Sequence, residues 1–295
     1  MTRLLSTTLV AASIVAMSAT AMAADLIAYD SFSYNPTINL HGANGGSGWS
    51  GTWVKNQAIP TGVGAPGLSW PNLVTAGNCA VTAAYGNDQY SIYSRVLAPY
   101  TDEDGVVYIS FLFQPTFGFG EGGGVQIGPL TNGMIVGIHP GTGFYGLTDM
   151  AFAGVDTNVP AELDTTALCV VRVTNNFDGT IVYGLYMNPT VGQLEPAFPE
   201  ATYMIGGTMP AVVRILNDGG FLTDEIRVGK TWASVLPSTL PPACAADLDH
   251  SGAVGASDLG ILLGAWGGAA GDLDGNGSTD AADLAVLLGA WGSCS

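Results

Sequence analysis

The end of the chain contains one segment twice. The segment that begins at Asp247 recurs 25 residues later at Asp272, and each copy runs into Leu-Leu-Gly-Ala-Trp-Gly, which ends at Gly267 and Gly292. Each copy is a polar, glycine-containing stretch followed by an apolar one, a pattern typical of a loop that leads into a helix. A chain with this duplication is therefore expected to end in two copies of one small loop-and-helix unit.

Both loops carry oxygen-bearing side chains at the spacing of an EF-hand calcium loop. That loop has oxygen ligands at positions 1, 3 and 5, a glycine at position 6, a backbone carbonyl at position 7 and a carboxylate at position 12. Ca²⁺ is a hard cation that takes about six to eight oxygens, so we predict two Ca²⁺ sites. Their predicted ligands are Asp247, Asp249, Ser251, the carbonyl of Ala253 and Asp258 in the first loop, and Asp272, Asp274, Asn276, the carbonyl of Ser278, Asp280 and Asp283 in the second.

The two predicted sites differ at loop position 9. This position is Gly255 in the first loop, where water has to serve as the ligand, and Asp280 in the second. The second loop therefore offers one carboxylate more than the first. Because calcium affinity follows the charge of the ligands, we predict that the second site binds Ca²⁺ more tightly.

The segment from about Ala243 to Ser295 resembles the dockerin type I module. The resemblance rests on both twelve-residue loops, on aspartate instead of glutamate at position 12, and on single helices after the loops. It implies a small all-α, calcium-binding, non-catalytic module whose partner is a cohesin domain, typically in assemblies that degrade polysaccharides. The family recognises cohesin with polar residues at positions 10 and 11, where this chain has Ala256-Ser257 and Ala281-Ala282. The alternative is that Ca²⁺ only folds a module too small to build a core.

The apolar residues that follow each loop are expected to form the core of this module. The two equivalent sets are Leu259, Ile261, Leu262 and Leu263, and Leu284, Val286, Leu287 and Leu288. Trp266 and Trp291 are expected to close that core, with glycan binding as the alternative.

The N-terminus has the pattern of a secretory signal peptide. Arg3 precedes a short apolar stretch, and Ala21-Met22-Ala23 fits the small-x-small cleavage pattern. We predict a signal peptide over residues 1–23 and a secreted protein with no membrane insertion after cleavage. Association with the cell surface through protein contacts is the alternative location.

The composition limits the partners of the secreted chain. Acidic residues outnumber basic ones by 24 to 7, which gives a net charge of −17. A protein of this charge repels phosphate groups, so nucleic acid is not an expected partner.

The four cysteines fall into two expected pairs. Cys244 and Cys294 bracket the duplicated segment, and we expect them to form a disulfide that ties its ends together. Cys79 and Cys169 are expected to form a second disulfide or, alternatively, to lie buried as free thiols. An exported protein meets an oxidising environment that suits either arrangement.

The segment over residues 24–236 is predicted to be one β domain, and a Pro-rich linker over 237–243 separates it from the module over 244–295. Val107, Ile109, Phe111 and Phe113 alternate with more polar residues, the pattern of a strand with one buried face. Residues 168–173 and 181–187 flank Asn-Phe-Asp-Gly and predict a hairpin. Short strands repeated in this way predict a mainly β chain with a two-sheet sandwich.

The two ends of this domain resemble concanavalin A-like, LamG-type jelly rolls of exported bacterial proteins. The resemblance rests on residues 27–32, on the glycine-rich stretch that leads to Trp49 and Trp53, and on residues 223–232. It implies a jelly-roll β-sandwich and a role in binding glycans, in adhesion or in polysaccharide hydrolysis.

No catalytic residues are assigned from the sequence. Glycoside hydrolysis needs two carboxylates that face one cleft, and no predicted strand carries two acids on the same face. Asp224 and Glu225 are adjacent, so we expect them to point to opposite faces and interpret them as a strand-entry turn with an arginine ion pair. Carboxylates that meet across strands remain an alternative, because sequence does not show such pairs.

Three tryptophans are the candidate carbohydrate-binding residues. Trp49, Trp53 and Trp70 lie in glycine- and proline-rich segments, and exposed aromatic rings stack on sugars. The alternative is that they close the edge of the sandwich. Three functions are therefore open: a non-catalytic protein that binds polysaccharide and attaches through a dockerin-like module, a polysaccharide hydrolase or lyase that carries such a module, and a structural or adhesive surface protein.

Overall fold

The structure is a computed structural model of the chain. It describes residues 25–36, 39–57, 59–82, 90–101, 105–117, 122–129, 131–239, 246–249, 251, 253–274 and 277–293. The predicted signal peptide, Asn276 and the predicted Cys244–Cys294 disulfide lie outside these residues. Within the described ranges, no helix combines the length and the apolar character that crossing a membrane requires.

The chain divides into two compact units. The first contains the described residues up to Thr190 together with Leu194–Pro237, and the second contains Val191–Gln193 and the described residues from Ser238 onward. The boundary at Pro237 lies at the start of the Pro-rich segment.

The first unit is a sandwich of two antiparallel sheets, which confirms the predicted mainly β, jelly-roll fold class. Sheet I has the strand order β13 (Ala201–Gly206), β12 (Thr180–Met187), β11 (Ala167–Asn175), β6 (Val106–Phe117), β15 (Gly220–Gly229), β4 (Cys79–Thr82) and β3 (Thr61–Gly64), and β1 (Leu26–Asp30) also pairs with β15. Sheet II has the order β10 (Gly154–Pro160), β9 (Phe144–Thr148), β8 (Met134–Ile138), β7 (Gly123–Ile127), β14 (Val212–Asn217), β5 (Ser91–Val96) and β2 (Val54–Lys55).

The core of the sandwich follows from the alternation of residues along the strands. The odd-numbered residues Val107 to Phe113 of β6 are fully buried between the sheets, as predicted. The other face of β6 is covered as well, because the short helix α1 (Trp232–Val235) packs on it and Ser110 Oγ donates to the carbonyl of Val235 at 2.7 Å. The outer face of sheet I therefore carries a further layer.

The predicted hairpin over residues 168–187 is confirmed as β11 and β12. Their register pairs Asn175 with Ile181 next to the turn. Phe177 has φ of +57° and Gly179 has φ of +88°, and the turn needs this left-handed backbone. Glycine adopts such a backbone without strain, which explains the Asp-Gly sequence at this point.

The second unit contains the two predicted loop-and-helix repeats. Helix α2 (Ala256–Gly264) and helix α3 (Ala281–Gly289) begin 25 residues apart, in register with the sequence repeat. The unit also contains an antiparallel strand pair, β16 (Ala253–Val254) with β17 (Gly292–Ser293). The expectation of an entirely α-helical module was therefore wrong.

The core of the second unit is smaller than predicted. Leu262 and Leu287 are fully buried, and Leu259 and Leu284 pack partly against them. The other members of the predicted core sets and both tryptophans are 40–52% exposed; they are Ile261, Leu263, Trp266, Val286, Leu288 and Trp291. The interpretation of these six residues as core was wrong, because each helix buries only the side that faces its partner helix.

Candidate calcium sites and polar clusters of the sandwich

The two loops of the second unit each bring three carboxylates together. Asp247, Asp249 and Asp258 place one oxygen each within 4.8 Å of one another, and so do the equivalent residues Asp272, Asp274 and Asp283. The two clusters could each hold a metal ion.

The aspartate at loop position 12 is positioned by the start of the helix that follows. Asp258 accepts hydrogen bonds from the amides of Gly255 at 2.7 Å and Asp249 at 3.0 Å. Asp283 accepts from the amides of Asp280 at 2.7 Å and Leu273 at 2.6 Å. These amides hold the pKa of both carboxyl groups below its ordinary value, so both are charged at neutral pH.

The remaining predicted ligands have different surroundings. The Ser251 amide donates to Asp247 and Asp249, both at 3.0 Å, and its hydroxyl donates to the carbonyl of Ala253 at 3.1 Å. Asp280 lies at the start of α3, where its Oδ1 accepts from the amide of Ala282 at 2.8 Å. Asp280 therefore caps the helix, and it adds negative charge to the second loop.

Two of the three candidate tryptophans, Trp49 and Trp53, are built into the edge of the sandwich. Trp53 is fully buried and donates from Nε1 to Asp30 at 2.8 Å, so the proposal that it stacks on sugar is wrong. Trp49 is half-buried and donates to the carbonyl of Tyr29 at 3.0 Å. The guanidinium of Arg95 lies 5.0 Å from the Trp49 ring and forms a buried ion pair with Asp30.

Trp70 lies in the loop between β3 and β4 and is half-buried. It is the one member of the predicted trio whose side chain is partly exposed without a described role at the edge. No sequence signal separated it from Trp49 and Trp53.

The predicted acidic pair is internal. Asp224 and Glu225 lie at a β-bulge of β15, where Glu225 has φ of +56°. Asp224 accepts from the amide of Leu68 at 2.7 Å and Glu225 from the amide of Ala76 at 2.6 Å, so both hold the same loop instead of pointing to opposite faces. The expected arginine ion pair is present between Glu225 and Arg227.

Cys79 and Cys169 are buried free thiols, so the predicted disulfide between them is wrong and the alternative is correct. Cys79 lies on β4 and Cys169 on β11, and two strands, β6 and β15, separate them in sheet I. Three strand spacings of about 4.8 Å place their backbones roughly 14 Å apart. A disulfide requires the Cα atoms within about 7 Å.

A further cluster on the outer face of sheet I was missed by the sequence analysis. Both carboxylate oxygens of Glu195 accept a phenol hydrogen, Oε2 from Tyr108 and Oε1 from Tyr186, at 2.6 Å each. Arg172 lies 3.4 Å from Oε1, and Trp232 stands edge-on to both tyrosine rings. We call Tyr108, Arg172, Tyr186 and Trp232 the carboxylate cage.

The cage keeps its tyrosines protonated. Burial and the contact with Glu195 raise the pKa of Tyr186 to about 12 and also raise the pKa of Tyr108. Both phenols therefore donate hydrogen bonds at any physiological pH. The alternation along β6 placed Tyr108 on the face opposite the core, but only the register of β6 with β11 brings it beside Arg172.

No protein-family model matches the sequence, and no curated protein matches it. Solved structures of similar fold include domain 4 of an extracellular GH43 arabinanase from Geobacillus stearothermophilus in complex with arabinotriose, with a TM-score of 0.44 and 14% identity over 70% of this chain and 93% of that one. An endo-β-1,4-glucuronan lyase from the fungus Trichoderma reesei has a TM-score of 0.38 and 11% identity over 69% and 99%. An alginate lyase from Corynebacterium sp. has a TM-score of 0.35 and 10% identity over 59% and 90%. All three similarities are too distant to assign an activity to this chain.

Proposed function

We propose that this chain is an exported, non-catalytic protein in which the sandwich binds carbohydrate and a calcium-dependent, dockerin-like module attaches it to another protein. The observation that carries the proposal is the pair of three-carboxylate clusters at equivalent positions of the two repeats.

The chemistry of the clusters favours Ca²⁺ over other metals. Every clustered ligand is a carboxylate oxygen, which suits a hard cation. Backbone amides already hold Asp258 and Asp283 in the charged form, so an ion binds without first displacing a proton from either residue. The serine and carbonyl oxygens of the first loop supply the additional neutral ligands that Ca²⁺ takes.

Calorimetry on the full chain tests the calcium proposal. We expect two bound Ca²⁺ ions per chain, one in each of Asp258→Asn and Asp283→Asn, and none in the double variant. Asp164→Asn, a substitution at an exposed turn of the sandwich, is the matched control and should bind two ions. Two ions in the double variant would contradict the assignment.

The exposed apolar residues of the repeats support a protein partner. Ile261, Leu263 and Trp266 and their equivalents 25 residues later are 40–52% exposed. A soluble protein rarely exposes such a set without a binding role. We propose a cohesin-like domain as the partner, contacted through apolar side chains because positions 10 and 11 of both loops are small.

Binding to a panel of cohesin domains, measured by biolayer interferometry with Ca²⁺ and with EGTA, tests the partner. We expect binding only with Ca²⁺ and its loss in the Ile261→Asp/Val286→Asp variant. If that variant binds as the wild type does, the exposed residues have no part in attachment. If no cohesin binds, Ca²⁺ serves only to fold the module.

The buried state of the acidic pair supports a binding role for the sandwich over hydrolysis. Asp224 and Glu225 are fully buried and bonded to a loop, so neither faces a substrate. A glycan array on the full chain tests this role, with reducing-end release measured for every glycan that binds. Binding without release supports the proposal, whereas release favours a polysaccharide-degrading enzyme.

A further inference from the structure

The carboxylate cage has the form of a binding site that the chain itself fills. The hydroxyls of Tyr108 and Tyr186 each donate a hydrogen bond of 2.6 Å to one carboxylate oxygen of Glu195. The guanidinium of Arg172 adds a positive charge 3.4 Å from the same carboxylate. Tyr108 and Tyr186 are 8% and 3% exposed, so both donors are buried around the anion. Hydrogen bonds to a charged acceptor are roughly twice as strong as neutral ones, so the cage is selective for an anion.

The receptor side of this contact is rigid. Arg172 on β11 pairs in register with Tyr108 on β6 and with Gly184 on β12, the strand that also carries Tyr186. The Trp232 ring packs against both tyrosines at centroid distances of 6.1 and 5.1 Å. Three neighbouring strands and one aromatic ring therefore hold the donors in place before any ligand arrives.

The ligand side of the contact is a loop. Glu195 lies between β12 and β13, in a segment whose ends are fixed by Asn188 and Glu200 through bonds to Leu168 and Met187. Near Glu195, Leu194 is 87% exposed and Phe198 is 84% exposed. These two apolar side chains therefore do not pack on the sandwich, whereas the carboxylate of Glu195 does contact it.

The cage is reachable from solvent and retains an unused donor. The Arg172 side chain is 43% exposed. Its Nε is buried and has no hydrogen-bond partner among the described residues. A larger ligand with a hydroxyl or ring oxygen beside its carboxylate would satisfy this donor, whereas Glu195 does not.

We infer that the carboxylate cage is the sandwich's binding site for the carboxylate of a uronic acid residue, and that Glu195 occupies it as an internal competitor. This inference rests on the proposed carbohydrate-binding function and specifies its ligand. A neutral sugar offers no anion to the two phenols and the guanidinium. Release of Glu195 opens the site, so the loop lowers the affinity for acidic carbohydrate.

The first test uses thermal melting of the full chain with D-glucuronate as the probe and D-glucose as the neutral comparison. We expect glucuronate to raise the melting temperature of Glu195→Ala by at least about 2 °C, because a ligand of the folded state stabilises it. Glucose should have no effect. The added substitution Arg172→Ala should abolish the response.

The second test uses calorimetry with oligoglucuronate. We expect Glu195→Ala to bind at least tenfold more tightly than the wild type. Glu162→Ala is the matched control, since it removes an exposed glutamate outside this loop and leaves the cage filled; its affinity should equal that of the wild type. Glu195→Gln, which removes the charge and keeps the shape, serves if the alanine variant does not fold.

A different result is expected if the contact between Glu195 and the carboxylate cage has only a structural role. In that case Glu195→Ala and Glu195→Gln lower the melting temperature and gain no response to glucuronate, which would overturn the inference. The glycan array on the wild type is read separately. If the wild type binds a neutral glycan and neither variant responds to glucuronate, the proposed carbohydrate-binding function is supported. The carboxylate cage is then not the binding site.

Discussion

Asp224 is an ionisable residue that water does not reach. Burial, and then the charge of Glu225, raise the pKa of Asp224 from its ordinary value to about 8. The folded protein therefore keeps a proton on Asp224 between about pH 4 and pH 8, where the unfolded chain has lost it. Since the folded state binds the extra proton, this residue makes the protein less stable as the pH rises through that window.

The Asp224→Asn substitution should weaken this pH dependence. At pH 5 the variant should be less stable than the wild type, because one of the two backbone amides that Asp224 accepts from, those of Leu68 and Glu225, loses its acceptor. Between pH 5 and pH 9 this deficit should shrink by roughly 1.4 kcal/mol for each pH unit up to the pKa of Asp224, because only the wild type loses this proton-linked stability. Urea unfolding at both pH values measures the difference. A deficit of the same size at pH 5 and pH 9 would show that Asp224 does not titrate in this range, and Asp164→Asn controls for the lost charge.

Single residues were the hardest feature to predict from the sequence. Trp49, Trp53 and Trp70 look alike in the sequence, yet Trp53 is buried because Asp30 and Arg95 lie beside it in the folded sandwich. Glu195 lies in a loop without any pattern, and its role depends on strands that are distant in sequence. Burial and cross-strand contacts of this kind arise only from the register of the sheets.

The two calcium loops should differ in their affinity for Ca²⁺. Asp280 adds a charge to the second loop, whereas the first loop has Gly255 at that position. We therefore expect Asp272→Ala to cost more binding free energy than Asp247→Ala, by about tenfold in affinity, since calcium affinity follows ligand charge. Calorimetry on the two variants measures both sites.

Asp280→Asn isolates the cause of this difference. Asparagine keeps an oxygen that can accept from the amide of Ala282, so the cap of α3 is preserved while the charge is removed. The affinity of the second site should then approach that of the first. An equal or larger loss from Asp247→Ala than from Asp272→Ala would refute the ranking.

Elements were predicted well where the signal is local. The alternation in β6 and the Asp-Gly turn between β11 and β12 depend on neighbouring residues, and both predictions are confirmed. The position of the two helices follows from the repeat itself. Their buried side was predicted too broadly, because the small partner helix covers only the strip around Leu262 and Leu287.

The division of the whole molecule has an energetic consequence. The sandwich has an extensive core, whereas the buried apolar residues of the second unit are few among those described: Val191, Ala246, Val254, Leu262 and Leu287. A unit with so small a core has only marginal folding stability unless something else stabilises it. Two bound Ca²⁺ ions would each add about 2.7 kcal/mol at a hundredfold excess over the dissociation constant. The repeat with its acidic loops thus predicts a second unit whose folding depends on the ion.

Removing Ca²⁺ should therefore unfold the second unit and leave the sandwich folded. On adding EGTA, we expect the circular dichroism signal at 222 nm to decrease, because α2 and α3 are the long helices of the described chain. The calorimetric transition of the sandwich should stay at the same temperature, since no predicted calcium ligand lies in that unit. The Asp258→Asn/Asp283→Asn variant should show the same profile without EGTA. If EGTA shifts the transition of the sandwich as well, the two units do not unfold independently, and the proposed role of Ca²⁺ extends beyond the attachment module.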